Sequence, residues 1–150
     1  MKKIALVSLL AFTLAGCGAT LASIIATAST VLNYIATYGQ EAQVVWNVIA
    51  PAIPAADQAK ANADFTKAFT TMTTAEDALR QSLDVAQSAT GPKPDIAADI
   101  AAVDKACQDV LAIVHQYGGS AGAFPGGKLS GVAPYVATLD AQAARIWSYR

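Results

Sequence analysis

The two side chains best suited to catalysis or metal binding, cysteine and histidine, are scarce in this chain. Its cysteines are Cys17 and Cys107, and its one histidine is His115. A tetrahedral zinc site needs four such ligands, and a His-based triad needs a nucleophile beside the ring. Cys107 is two helical turns from His115 on the same predicted helix, so neither site can be assembled from these residues. We expect no metal and no catalytic residues, and His115 is typical of a residue that stabilises a helix C-terminus.

Paired carboxylates are the second candidate for chemistry. Asp95 with Asp99, and Glu76 with Asp77, have the residue types of a general acid and base. Helix starts and solvated helix faces explain both pairs without a pocket. The sequence therefore favours a protein that is not an enzyme.

A glycine-rich stretch, GAFPGGKL at 122–129, matches part of a phosphate-binding loop. Such a loop needs Ser or Thr after its lysine to hold magnesium, and it must follow a strand. Here Leu129 stands in that position, and a predicted helix precedes the stretch. We interpret it as a flexible connection within a Gly-rich loop at about 118–131, with no cofactor.

Composition narrows the class of protein. The chain is 54% hydrophobic and 14% charged, with a formal net charge of -1. This balance suits one folded domain and offers no basic face for the phosphates of nucleic acid.

The first residues have the three parts of a secretory signal. Lys2 and Lys3 form a positive start, 4–14 is apolar, and Ala15-Gly16 is a small-residue cleavage site. The apolar run is shorter than the roughly 20 residues that span a bilayer. We therefore predict export with cleavage between Gly16 and Cys17, which leaves 17–150 as one mature domain after a signal peptide at 1–16.

The residues Leu14, Ala15, Gly16 and Cys17 resemble the lipobox of bacterial lipoproteins. The resemblance covers only 1–17, and it implies that Cys17 carries covalent lipid such as palmitate. Gly18 follows the cysteine where an Asp commonly signals inner-membrane retention, so the resemblance implies a lipid-anchored protein on the periplasmic side of the outer membrane. The alternative is a disulfide between Cys17 and Cys107 in a secreted protein.

Hydrophobic periodicity predicts four helices in the mature chain. Apolar residues keep to one helical face from Leu21 to Ile49, and Pro51 and Pro54 end the pattern. A second stripe runs from Phe65 to Ala86, with Glu76 and Arg80 as a supporting pair beside it. The positions of the two stripes are Leu21, Ile24, Ala28, Leu32, Ile35, Ala42, Val45 and Ile49, and then Phe65, Ala68, Phe69, Met72, Ala75, Leu79, Ser82, Leu83 and Ala86.

The third helix is predicted to begin at Pro94 or Asp95, and the fourth at Pro134. Cys107 shares the apolar face of the third helix, which predicts a buried, unreactive thiol. The two apolar faces comprise Ile96, Ile100, Val103, Cys107, Val110 or Leu111 and Val114, and then Val136, Leu139, Ala143 and Ile146, with Trp147 and Tyr149 near the end. With no hairpin signal, the pattern predicts an all-α, antiparallel four-helix bundle.

The first mature helix carries an unusual series of hydroxyl groups. No charged residue occurs between Lys3 and Glu41, and hydroxyls recur every three or four residues. This hydroxyl seam consists of Thr20, Ser23, Thr27, Thr30, Tyr34 and Thr37. Small hydroxyl residues allow close helix approach, so the seam is a possible docking surface, or else a neutral exposed face near the anchor.

Two functions follow as hypotheses. The first is a lipid-anchored envelope protein that acts as an interaction or assembly module. It docks onto a membrane partner or masks it, either as a single chain or as a homo-oligomer. The second is a membrane-active, oligomerising protein whose uncharged first helix enters the bilayer. The Ser, Thr and Asn residues of that helix make insertion marginal.

Overall fold

The computed structural model describes residues 21–88, 93–118 and 133–148. In these residues the chain forms four α-helices, α1 (Leu21–Ile49), α2 (Ala55–Gln87), α3 (Ile96–Gly118) and α4 (Ala133–Trp147). No strand occurs in these ranges. The predicted all-α, bundle-like fold is confirmed.

The corner between α1 and α2 forms where proline interrupts the helical pattern. A 3₁₀ turn at Ala50–Ala52 contains Pro51, and Pro54 precedes the first residue of α2. Proline lacks an N–H and fixes its φ angle, so it ends one helix and suits the start of the next. The 29 residues of α1 and the 33 of α2 consequently fold back on each other as an antiparallel pair, as the predicted antiparallel bundle requires.

The start of α3 has a side-chain cap. The Asp95 carboxylate accepts a hydrogen bond from the backbone N–H of Ala98 at 3.1 Å. This bond satisfies one of the free N–H groups at the helix N-terminus, and Asp99 adds negative charge in the first turn. The prediction that α3 begins at Pro94 or Asp95 is therefore correct to within two residues.

The helices pack around α1. The largest interface joins α2 to α3, and α1 contacts each of the other three helices. Tyr38 meets Cys107, and Ile49 meets Gly118, so α1 and α3 run parallel in a constant register. Contacts of Trp46 with Phe65 and of Gly39 with Met72 show that α2 runs antiparallel to α1.

The core contains most of the predicted apolar stripe positions. Those with under a tenth of their surface exposed are Ala28, Leu32, Ile35, Ala42, Val45, Ile49, Phe65, Met72, Leu79, Leu83, Ile96, Val103, Cys107, Val110, Leu111, Val114, Leu139, Ala143 and Ile146. One stripe position is wrong, because Leu21 is 47% exposed. It lies on the core side of α1 by periodicity, but it is the first residue of that helix and is not enclosed by the bundle.

Candidate functional site

The predicted lipid-attachment and cleavage residues, Cys17 and Gly16, lie outside the described residues, as do Thr20 and the GAFPGGKL stretch. Three residues separate Cys17 from Leu21, the first residue of α1. A fully extended chain spans at most about 3.6 Å per residue, so the four steps from Cys17 to Leu21 cover at most roughly 14 Å. If Cys17 carries lipid, the first turn of α1 stays close to the membrane.

The described part of the hydroxyl seam is partly covered. Ser23 and Thr37 are exposed, whereas Thr27, Thr30 and Tyr34 are half-buried. Thr30 donates its hydroxyl hydrogen to the carbonyl of Ala26 at 2.9 Å, and Thr37 donates to that of Asn33 at 3.2 Å. A hydroxyl has one hydrogen to donate, so these two groups have lone pairs left to accept a bond from a partner.

The exposed residues of α1 carry no charge. We call this surface the outer face of α1, and it consists of Leu21, Ala22, Ser23, Ala26, Ser29, Asn33, Ala36, Thr37, Gln40, Gln43, Val44, Asn47 and Val48. Val44 and Val48, four residues apart, are 51% and 44% exposed. By contrast, α2 exposes six charged residues, namely Asp57, Lys60, Lys67, Asp77, Arg80 and Asp84. A solvated helix usually carries such charges, so the outer face of α1 differs from the exposed surface of α2.

One helical segment, Leu21–Ala52, is long and apolar enough to cross a membrane when judged by length and composition alone. In its most apolar window of 18 residues, 28% of the residues are buried in the bundle. The buried share rises toward the end of α1, where Val45, Trp46 and Ile49 are enclosed by other helices. The core helix of a water-soluble bundle and a membrane helix both fit this composition.

An aromatic junction joins α1, α2 and α3 near the proline corner. The rings of Trp46 and Phe65 stack with centroids 4.4 Å apart, and Tyr117 meets Trp46 edge-on at 6.0 Å. The indole N–H of Trp46 donates to the side-chain oxygen of Asn62 at 3.1 Å. Stacked and edge-on aromatic pairs stabilise beyond the area that they bury. We therefore assign this junction a structural role.

Beside the aromatic junction lies a polar triad of Lys60, Asp64 and Tyr117. The Tyr117 hydroxyl donates to the Asp64 carboxylate at 2.8 Å, and the Lys60 ammonium donates to the same oxygen at 2.6 Å. The bond from Lys60, followed by that from Tyr117, holds the pKa of Asp64 below its usual value. The pKa of Lys60 is raised by its bond to Asp64 and, second, by the bond that its ammonium donates to the Tyr117 hydroxyl at 3.4 Å. The triad links α2 to α3 and its donors and acceptors satisfy one another, which is typical of a structural network.

The buried thiol of Cys107 lies against Tyr38. The Tyr38 hydroxyl donates to the backbone carbonyl of Cys107 at 2.8 Å, in a fully enclosed position. Burial, and to a lesser extent the charge of Glu76, raises the pKa of the Cys107 thiol to about 12. Burial also raises the pKa of Tyr38. At neutral pH the thiol is protonated, which removes the nucleophilic form of the sulfur.

An open groove of about 470 Å³ runs between α2 and α3. Its lining consists of Thr70, Thr71, Thr74, Ala75, Ala78, Ala102, Lys105, Ala106 and Asp109. The hydroxyls of Thr71 and Thr74 donate to carbonyls of their own helix. Lys105 and Asp109 pair with each other at 2.8 Å. The groove therefore presents mainly methyl groups, with no convergent set of polar groups of the kind that orients a small ligand.

His115 forms a contact that the sequence did not predict. Its Nε2 lies 3.0 Å from a carboxylate oxygen of Asp140, which joins α3 to α4, and the two side chains are 43% and 48% exposed. The residues are 25 positions apart, so no local pattern indicates the pair. By contrast, the predicted Glu76–Arg80 pair is present at 2.6 Å. In the described ranges, no three His, Cys, Asp or Glu residues come together as a potential metal site.

A scan against protein-family models gave no match, and searches of curated proteins and of solved structures likewise gave none.

Proposed function

We propose that the protein is a lipid-anchored envelope protein, attached through Cys17 to the outer membrane on its periplasmic side. In this proposal the helical bundle is a non-enzymatic interaction module. It docks onto a membrane-associated protein partner, or masks that partner, through the outer face of α1. The anchor rests on the resemblance of Leu14–Cys17 to a lipobox.

The observation that carries the docking role is the uncharged outer face of α1. Leu21, which belongs to this face, is four residues after the proposed anchor, and the exposed side chains of the face include Val44 and Val48. Protein interfaces are depleted of charge at their centre, because a buried charge must be paired or desolvated at a cost. The charged residues of α2 make that helix a poorer candidate.

Mass spectrometry of the membrane-extracted protein tests the anchor. We expect a chain that begins at Cys17 and carries added acyl mass. An intact Met1, or a free thiol on Cys17, would contradict the anchor and return attention to a disulfide with Cys107.

Co-purification of the lipidated, tagged protein tests the docking role. We expect a specific envelope protein to be retained, and we expect Val44→Lys with Val48→Lys to abolish its retention, since lysine at an interface centre must be desolvated. Val85→Lys is the matched control, because Val85 is 42% exposed but lies on α2. Equal loss with the control would contradict docking through α1.

The second candidate is a membrane-active protein in which α1 leaves the bundle and spans the bilayer. It is favoured by the length and composition of Leu21–Ala52. Insertion would remove Ile35, Tyr38 and Ile49, all fully enclosed, from their packing with the other helices. These side chains would stay out of water in the bilayer, but the apolar faces of the other helices that pack on them would become exposed. Because burying a large apolar side chain contributes about 1.5 to 3 kcal/mol, the exposure of those faces weighs against the second candidate.

A further inference from the structure

A line of residues, most of them with amide side chains, runs along the centre of the outer face of α1. We call it the amide line, and it consists of Ala26, Asn33, Gln40 and Asn47, which recur every seven positions and are all exposed. Exposed residues flank the line on both sides, namely Ala22, Ser29, Ala36 and Gln43 on one side and Ser23, Thr37 and Val44 on the other. Residues that recur every seven positions stay on the side that faces a partner when two helices wind around each other.

The chemistry of the amide line suits contact with an identical line. An amide side chain both donates and accepts hydrogen bonds, so two copies of the same amide can bond to each other, whereas two carboxylates or two ammonium groups cannot. An Asn at the centre of a two-stranded coiled coil fixes the register of the two helices in this way.

The electrostatics of the outer face of α1 fit the same partner. In a parallel pair of identical helices in register, every central side chain lies opposite its own copy, so a charge there would meet a like charge. The exposed side chains of α1 are all uncharged, as a face must be to meet its own copy. The exposed surface of α2, with Lys67 and Asp77 among its charges, would set like charges against each other.

The proposed lipid anchor sets the direction of such a pair. Cys17 is four positions before Leu21, so two anchored copies are attached to the membrane at the same end of α1. Helices attached in this way lie side by side in parallel. Alanine and amide side chains bury little apolar surface, so the amide line specifies the register more than it strengthens the pair. Attachment to one membrane raises the effective concentration of the copies and so favours their pairing.

We infer that the outer face of α1 pairs with the same face of a second copy of this chain, parallel and in register along the amide line. The pairing rests on the proposed function, whose membrane-associated partner it names as a second copy. Because seven residues fall short of two full helical turns, the two α1 helices cross at about +20°, as in a left-handed coiled coil.

Cysteine cross-linking of the full chain in bacterial membranes tests the pairing. A disulfide needs Cα atoms within about 7 Å, which identical positions of the amide line reach in a parallel pair in register. The variants, made one at a time, are Ala26→Cys, Asn33→Cys, Gln40→Cys and Asn47→Cys. After oxidation we expect each to give about tenfold more disulfide-linked dimer than Gln81→Cys, an exposed position of α2. Cys107 is fully buried, and the unsubstituted chain provides the blank.

The pattern of cross-links separates the pairing from the anchor. No dimer above the level of Gln81→Cys, in protein whose mass shows the lipid, would overturn the pairing and leave the anchor standing. Dimer in protein that lacks the lipid would support the pairing and contradict the anchor. An antiparallel pair brings identical positions together only near the middle of the line, so dimer from a single position would overturn the parallel register. Disulfides to a different protein would overturn pairing with a second copy and support docking of another partner.

A change of charge at constant size tests the contact between the two amide lines. Adding Gln40→Glu to Asn33→Cys places two carboxylates opposite each other, and we expect the disulfide-linked dimer to fall by about tenfold. Gln81→Glu in the same Asn33→Cys background is the matched control and should leave the dimer unchanged. An unchanged dimer with Gln40→Glu would overturn the in-register contact.

Discussion

At the scale of single residues, Cys107 connects burial to reactivity. Its thiol is fully enclosed, and its pKa is raised to about 12. We expect the native protein to react with a thiol reagent only slowly at pH 8, and the denatured protein to react at the rate of a free cysteine, because only the thiolate attacks. Absorbance of a chromogenic disulfide reagent measures both rates. Rapid labelling of Cys107 before unfolding would show that it is accessible.

The hydroxyl of Tyr38 is the second residue with a measurable role. Tyr38→Phe should lower the free energy of unfolding by about 1 kcal/mol, since it deletes one buried hydrogen bond and keeps the ring. Cys107→Ala is the control. The Tyr38 hydroxyl donates to the backbone carbonyl of Cys107, so the hydrogen bond should remain when the side chain is changed. Urea unfolding followed by circular dichroism measures both variants. A loss in the double variant well below the sum of the two single losses would mean that the bond needs the Cys107 side chain.

The polar triad predicts a dependence of stability on pH. The lowered pKa of Asp64 means that its contribution is present above the ordinary value of 3.8 and is lost as pH falls through the folded-state pKa. The raised pKa of Lys60 means that its contribution is present below 10.5 and is lost as pH rises through the folded-state pKa. In Asp64→Asn the decline of thermal stability below pH 4 should therefore be shallower than in the natural protein. Asp109→Asn is the control. If it makes the decline of thermal stability below pH 4 equally shallow, the triad is not the source of the pH dependence.

At the scale of elements, the register between α1 and α3 depends on the small size of Gly118. A Cβ atom at this position would lie 2.7 Å from Cδ1 of Ile49, which is fully buried. Gly118→Ala should therefore cost about 1 to 3 kcal/mol, as is typical of overpacking. Ile49→Val removes the clashing methyl group. The double variant should therefore lose less free energy of unfolding than the two single variants lose together. Strict additivity in thermal unfolding would show that α1 and α3 do not meet there.

The elements themselves could be predicted from the sequence, because each has a strong helical period bounded by proline or glycine. Periodicity also places Cys107 in the core, and the spacing of Glu76 and Arg80 predicts their ion pair. Contacts between distant residues could not be predicted in this way. The bond from Tyr38 to Cys107 spans 69 positions, and that from Tyr117 to Asp64 spans 53.

The prediction of buried residues in α1 was also limited because it relied on aliphatic side chains. Tyr38, Trp46 and Gly39 are buried, yet tyrosine, tryptophan and glycine do not stand out in a stripe defined by aliphatic residues. The failure at Leu21 has the opposite cause, since periodicity predicts a face and does not predict where the bundle ends. The hydroxyl seam and the lipid site remain predictions.

At the scale of the whole molecule, the proposed function assigns the uncharged outer face of α1 to partner binding and the charged surface of α2 to contact with water. A lipid anchor close to Leu21 would hold α1 near the membrane by one end, and its 29 residues extend for about 44 Å. The bundle would then present the outer face of α1 to envelope proteins within that distance.

The most direct test of the central claim, that α1 belongs to a bundle and does not enter the bilayer, is dye leakage from phospholipid vesicles by the mature chain starting at Gly18. We predict a helical protein that unfolds cooperatively and releases no dye, because its apolar stripes are already buried against one another. Leakage that is abolished by Ala26→Lys with Asn33→Lys would contradict the claim. Both positions are exposed in the bundle, so lysine is tolerated there, whereas each lysine costs about 2.5 to 3.5 kcal/mol at the centre of a membrane helix.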